Sequence, residues 1–168
     1  DYLRAAGGLH TREDFENAAG EYVTPVTTTF RGRTVHEIPP NGQGITALIM
    51  LNMLDVLDAK RLPRESAERW HLWIEVGRLA YAARDAFVSD AATMNTSPDA
   101  LLSRQFAETL AARIDPDRRI DDLAMPKPPG PDTTCLTVVD RDRRAVSFIN
   151  SLYYGMGSRI VTQKSGVT

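Results

Sequence analysis

Few side chains in this 168-residue chain offer chemistry by their type and spacing. Glu75, Arg84, Asp85 and Asp90 could suggest a carboxylate cluster for a metal ion, with His71 one turn before Glu75. On one helix that spacing scatters the groups around the axis, and a His/Glu pair is too few ligands for a metal site. Packing or ion pairing is the expectation for Glu75. Gly42 and Gly44 precede an apolar helix, whose first N–H groups could receive a phosphate. No Lys-Ser/Thr follows them, so this is a structural loop. Cys135 sits in an apolar alternation with no histidine near it in sequence, which fits a buried structural thiol. Thr133-Thr134 opens a β-branched run. By propensity the pair begins a strand, and a hydroxyl at its ordinary pKa needs a base beside it before it can attack a carbonyl. His10 and His36 have no partners that the sequence identifies.

Elements that could carry these groups follow from the patterning. Hydrophobic residues make up 42%, charged residues 25%, and the net charge is −2. That is globular composition, with no basic footprint for nucleic acid. No apolar run approaches the ~20 residues of a membrane span. The single cysteine excludes an internal disulfide and a cysteine-rich zinc site.

Thr11-Arg12-Glu13-Asp14 has the form of a capping box, predicting a short helix through about Ala19. Tyr22–Phe30 and Arg33–Ile38 predict a hairpin, with Pro25 marking an edge or bulge. The loop Pro39–Gly44 leads into a helix from about Ile45 to Ala59, apolar on more than one side and therefore deeply buried. Ser66 to Val88 is the longest helical stretch, with Trp70, Trp73, Ile74, Gly77, Ala80, Tyr81 and Arg84 at helical spacing. Ser97-Pro98-Asp99 opens one or two further helices through about Ile114. Residues 115–132 hold five prolines and read as a linker. Thr134–Asp140 and Ala145–Leu152 predict a second hairpin around the turn Arg141–Arg144, and Ser158–Thr162 a third strand. The chain starts at Asp1 and ends in strand and turn, so it reads as a piece of a longer protein.

Five segments in order resemble the gamma-glutamyltranspeptidase family. They are Pro39–Gly44, Leu51-Asn52-Met53-Leu54, the long helix with Glu75, Ala80-Tyr81-Ala82 and Arg84, the run Thr133–Asp140 followed by Ala145-Val146-Ser147, and Gly157-Ser158. The resemblance implies an α+β fold, part of the αββα four-layer N-terminal nucleophile hydrolase sandwich. A mostly helical segment, 1–132, would end the large-subunit region and carry the proline-rich linker 115–132. Residues 133–168 would start the small-subunit region as β strands.

Such proteins cut themselves before a threonine that then serves as nucleophile. By resemblance the scissile bond is Asp132–Thr133 and the nucleophile is Thr133. Ser151 stands where the family has a threonine that hydrogen-bonds the nucleophile, and Thr134 is a neighbour whose hydroxyl helps orient it. Tyr153 stands where many members have an asparagine that contacts the substrate's α-amino end. A tyrosine cannot supply both the donors and the acceptor of an amide. Standard γ-glutamyl amides of the glutathione type are thus one expected substrate class, with glutaryl or β-lactam-type amides as the alternative. A non-processing structural or binding relative is a third possibility. Arg143-Arg144 is a solvated turn without a role. No metal or cofactor is implied. The expected partners are the amide substrate and the rest of the large and small subunits, which should hold the remaining substrate-binding and oxyanion groups. The segment alone is expected to be inactive and to expose apolar surface left by missing layers.

Overall fold

The computed structural model describes residues 2–123, 134–151, 157 and 159–166. The chain divides into two compact units, one of Glu21–Pro126 and one of Asp1–Gly20 with Lys127–Thr168.

In the first unit, β1 (Val26–Phe30) and β2 (Arg33–Glu37) form an antiparallel hairpin with Thr28 opposite Val35. Its two turn residues, Arg31 and Gly32, both have positive φ, 51° and 74°. A two-residue turn with both central residues in that region matches the right-handed strand twist, and glycine adopts it without a steric penalty. The guanidinium of Arg31 lies 5.0 Å from the centre of the Phe30 ring. The expected strand from Tyr22 is shorter than predicted: it begins only after Pro25, which has no N–H to give a ladder.

Helix α3 (Gly44–Val56) is the centre of this unit and touches both strands, α4 (Ala67–Phe87) and α6 (Arg104–Ala111). A Cβ at Gly44 would overlap the Glu37 carboxylate, with the Glu37 Cβ 2.9 Å away, so only glycine lets β2 pass the start of the helix this closely. A negative group beside the start of the helix suits its positive end. A 3₁₀ turn, Ala59–Arg61, follows α3, replacing the last turn of the single longer helix predicted.

The core joins Ile45, Ile49 and Met53 of α3 with Val76, Leu79 and Ala80 of α4, Leu101 of the short α5 (Pro98–Leu101), and Ala107 and Leu110 of α6. Each fully buried large aliphatic side chain contributes about 1.5–3 kcal/mol. Helices α4, α5 and α6 all start at serines, 66, 97 and 103, whose hydroxyls accept from the N–H three residues on.

The buried face of α4 is not the one its aromatic spacing suggests. Glu75, Val76, Leu79, Ala80 and Ala83 face inward. Trp70, Trp73, Ile74 and Tyr81 form a continuous stripe that is 44–59% exposed.

Asn52 ties three elements together. It accepts from the Thr28 hydroxyl of β1 and donates to the Leu102 carbonyl at 3.0 Å, between α5 and α6.

In the second unit, α1 (Tyr2–Ala5) is followed by α2 (Arg12–Glu16), which has the predicted capping box: Asp14 N–H donates to Thr11 Oγ1 and Thr11 N–H to Asp14 Oδ2, at 3.3 and 2.6 Å. The helix stops at Asn17, short of Ala19. None of its residues is buried, and a short helix without tertiary packing does not propagate.

Loss of the Asn52 side chain should leave a part-buried hydroxyl and carbonyl without their partner. Asn52→Ala is expected to destabilise by about 1–3 kcal/mol in chemical denaturation. A change below about 0.5 kcal/mol would show that the bridge carries no net stability.

Candidate functional site

The segment that would carry the nucleophile leads into β3 (Thr134–Val139), which pairs antiparallel with β4 (Ala145–Asn150). Thr134 opens β3 opposite Asn150, and Ser151 directly follows that partner. Thr133 and Tyr153 lie outside the described residues, as does the linker 124–132. Thr134 and Cys135 are placed by their backbone, Cys135 opposite Ile149. The second predicted strand ends at Asn150, two residues short of Leu152, and 159–162 join no ladder, so the expected third strand is not formed there. Among the described residues this sheet holds only β3 and β4.

Both faces of this hairpin carry apolar side chains open to solvent: Leu136, Val138 and Val139 on β3, and Val146, Phe148 and Ile149 on β4, each more than half exposed. An isolated two-stranded hairpin is marginal in water and needs further strands or a packed face.

The turn Arg141–Arg144 is exposed, as expected, and is organised by the Asp140 carboxylate. Asp140 Oδ1 accepts from the N–H groups of Asp142 and Arg144, each at 2.9 Å, and Asp140 Oδ2 accepts from Arg144 Nε at 2.8 Å. Arg144 also pairs with Asp142 at 3.1 Å. Donation from the Arg144 backbone is the main cause that holds the Asp140 carboxyl below the ordinary carboxylate value. Arg143 is in the left-handed region, φ 63°, where a side chain is disfavoured.

The acidic residues that could suggest a metal cluster are spent on separate tasks. Arg84 binds Asp85 and the Gln43 side chain, and Asp90 accepts from Ala92 N–H. Glu75, only 1% exposed, pairs with Arg78 at 2.6 Å and accepts from Ile120 N–H at 2.9 Å. Arg78 Nη2 in turn donates to Ile120 O at 2.7 Å, and His71 Nε2 lies 2.8 Å from Asp115 O. His71, Glu75 and Arg78 therefore form one polar stripe on α4 that holds residues 115–120. The sequence offered one signal for this, the three-residue spacing of Glu75 and Arg78.

The gamma-glutamyltranspeptidase family model matches residues 1–168. The glutathione hydrolase-like YwrD proenzyme of Bacillus subtilis (strain 168) is 35% identical over 99% of this chain, and the match spans 31% of that relative. Among solved structures, the cephalosporin acylase from Bacillus halodurans superposes with a TM-score of 0.72, 32% identity, over 92% of this chain and 27% of that one. The gamma-glutamyltranspeptidase of Helicobacter pylori gives a TM-score of 0.61, 26% identity, over 68% of this chain and 33% of that one. The chain thus spans about a third of the length of the proteins it matches.

Two outcomes test the turn. Arg143→Gly should raise stability by about 1 kcal/mol, since it relieves the left-handed residue; a loss on denaturation would contradict this. Asp140 should titrate below an ordinary aspartate in a carboxyl-carbon NMR titration, because its carboxylate accepts from the Arg144 backbone. Because its folded value is depressed, its contribution is present above the ordinary carboxylate range and is lost as pH falls through the lowered value. Asp140→Asn should remove that part of the acid dependence, and an unchanged profile would show that the turn carboxylate is uncoupled from folding.

Proposed function

The chain belongs to the gamma-glutamyltranspeptidase family, and from that membership we propose that it spans the junction of the two subunits of a self-cleaving amide hydrolase. Residues 1–132 end the large-subunit region and 133–168 begin the small one. The observation that carries this is the family match through both hairpins and the linker between them. The name proenzyme on the Bacillus subtilis relative supports cleavage as part of maturation.

In maturation the Thr133 hydroxyl attacks the carbonyl of Asp132 and its own backbone nitrogen leaves, giving an ester and a free α-amine. Water hydrolyses the ester, releasing the Asp132 carboxylate and restoring the hydroxyl. The freed amine has a reference pKa of about 7.7–8.0, so part of it is neutral near pH 7 and can take the hydroxyl proton. Before cleavage that nitrogen is an amide and has no such basicity. In turnover the hydroxyl attacks a substrate amide, the amine of the substrate leaves, and water or another amine takes the acyl group.

Ser151 is the hydroxyl that orients Thr133, with Thr134 as a neighbour. The antiparallel register supports this, since Thr134 lies opposite Asn150 and Ser151 follows directly. The exposed apolar surface of β3 and β4 supports a wider sheet supplied by the rest of the two subunits.

The acyl group is of the γ-glutamyl type, a reading supported by the family match and by the relative named a glutathione hydrolase-like proenzyme. A second reading, a glutaryl or β-lactam-type acylase, is favoured by the cephalosporin acylase likeness and by Tyr153. The two are separated by hydrolysis of a γ-glutamyl against a glutaryl anilide. A kcat/KM at least tenfold higher for the γ-glutamyl compound supports the first; the reverse ratio supports the second.

In the complete precursor, Thr133→Ala should abolish both cleavage and hydrolysis. A hydrogen bond between neutral groups is worth about 0.5–1.5 kcal/mol, so Ser151→Ala should slow turnover roughly two- to tenfold. Full activity of Thr133→Ala would overturn the assignment of the nucleophile.

A further inference from the structure

We propose that Glu75 and Arg78 are positioning residues for maturation: together they clamp the Ile120 peptide to α4 and so anchor the near end of the cleavable linker. The inference rests on the processing proposed above, and goes beyond it by assigning a role to residues far from the nucleophile in sequence.

The geometry is that of a two-point grip. The Glu75 carboxylate accepts from Ile120 N–H at 2.9 Å, and Arg78 Nη2 donates to Ile120 O at 2.7 Å. The two grips are locked to each other through Arg78 Nη1 and Glu75 Oε1 at 2.6 Å. Both side chains are shielded, 2% and 14% exposed. Side chains that satisfy the N–H and the C=O of one residue hold the two peptide groups that flank it, whatever its side chain. Residues 114–116 and 119–123 have no turn or ladder of their own, so this grip and the His71 contact to Asp115 O replace secondary structure there.

The position along the chain gives the grip its use. About a dozen residues separate Ile120 from the candidate scissile bond, a reach of roughly 40 Å at most. Four of the prolines lie in that span. An anchor at its near end limits the directions from which the Asp132 carbonyl can be presented. The Ile114, Ile120 and Leu123 side chains also pack against the core, so what the clamp adds is a fixed backbone orientation at Ile120.

The test uses the complete precursor with Glu75→Leu and Arg78→Met combined, so that no unpaired buried charge remains. Intact mass over time should show cleavage at least twofold slower than in the wild type. Glu75→Gln keeps an acceptor for Ile120 N–H and should process within the wild-type range. In a bypass form, with chains ending at Asp132 and beginning at Thr133 made separately and assembled, the double variant should hydrolyse the amide substrate at the wild-type rate. Equal processing of double variant and wild type would overturn the inference while leaving self-cleavage intact. An equal slowing in the bypass form would also overturn it, by showing an ordinary packing role. An uncut wild type would remove the processing reading and this inference with it. If the double variant does not melt cooperatively, Arg78→Lys takes its place, since a lysine lacks the fork that holds both partners. Amide exchange at Ile120 should then be faster than in the wild type, and unchanged exchange would overturn the clamp.

Discussion

Everything in the larger unit depends on the burial of α3. Its side chains at 45, 48, 49 and 53 have almost no contact with solvent, and β1, β2, α4 and α6 are arranged around it. A helix apolar on more than one side can be stable only when enclosed. The enclosure sets the orientation of α4, which turns Val76, Leu79 and Ala80 toward α3. The polar stripe of α4 is then held in place as a consequence of packing, and the linker is gripped by groups that cannot wander. Asn52 adds direction to what is otherwise apolar contact, because its amide meets a hydroxyl on one side and a carbonyl on the other.

The β3–β4 hairpin is in the opposite condition. It has a well-formed register and an organised turn, yet its apolar side chains face water on both sides. The aromatic stripe of α4 is similarly open. Surfaces of this kind mark where another layer or chain packs. The chain spans about a third of the length of its matched relatives. The physical picture is one of a buried helical unit that holds one end of the linker, and a hairpin on the other end that needs neighbours.

Local signals were legible where the chemistry is local. The capping box at Thr11 depends on residues three apart and its helix begins where it predicts, and α4 and α5 begin after Ser66 and Ser97, where the expected helical stretches open. Turn chemistry located both hairpins, although Pro25 shortened the first strand. Tertiary choices were not legible. The stripe through Trp70, Trp73, Ile74 and Tyr81 is the more regular one, but the inward face contains Glu75, whose burial depends on Arg78 and on a peptide forty-five residues away. A backbone partner leaves no residue-type signature. At the candidate site, the register places Thr134 opposite Asn150, next to Ser151 in the chain, whereas Thr133 was recognisable only through the family pattern and lies outside the described residues.

The central claim is that the bond before Thr133 is cut and that the new terminus does the chemistry. The most direct measurement is the N-terminal sequence of any smaller chain formed by the folded wild-type precursor. A chain beginning Thr-Thr-Cys-Leu is the predicted result. A folded precursor that stays as one chain, or a smaller chain that begins elsewhere, would contradict the account and return Thr133 to the role of an ordinary strand residue.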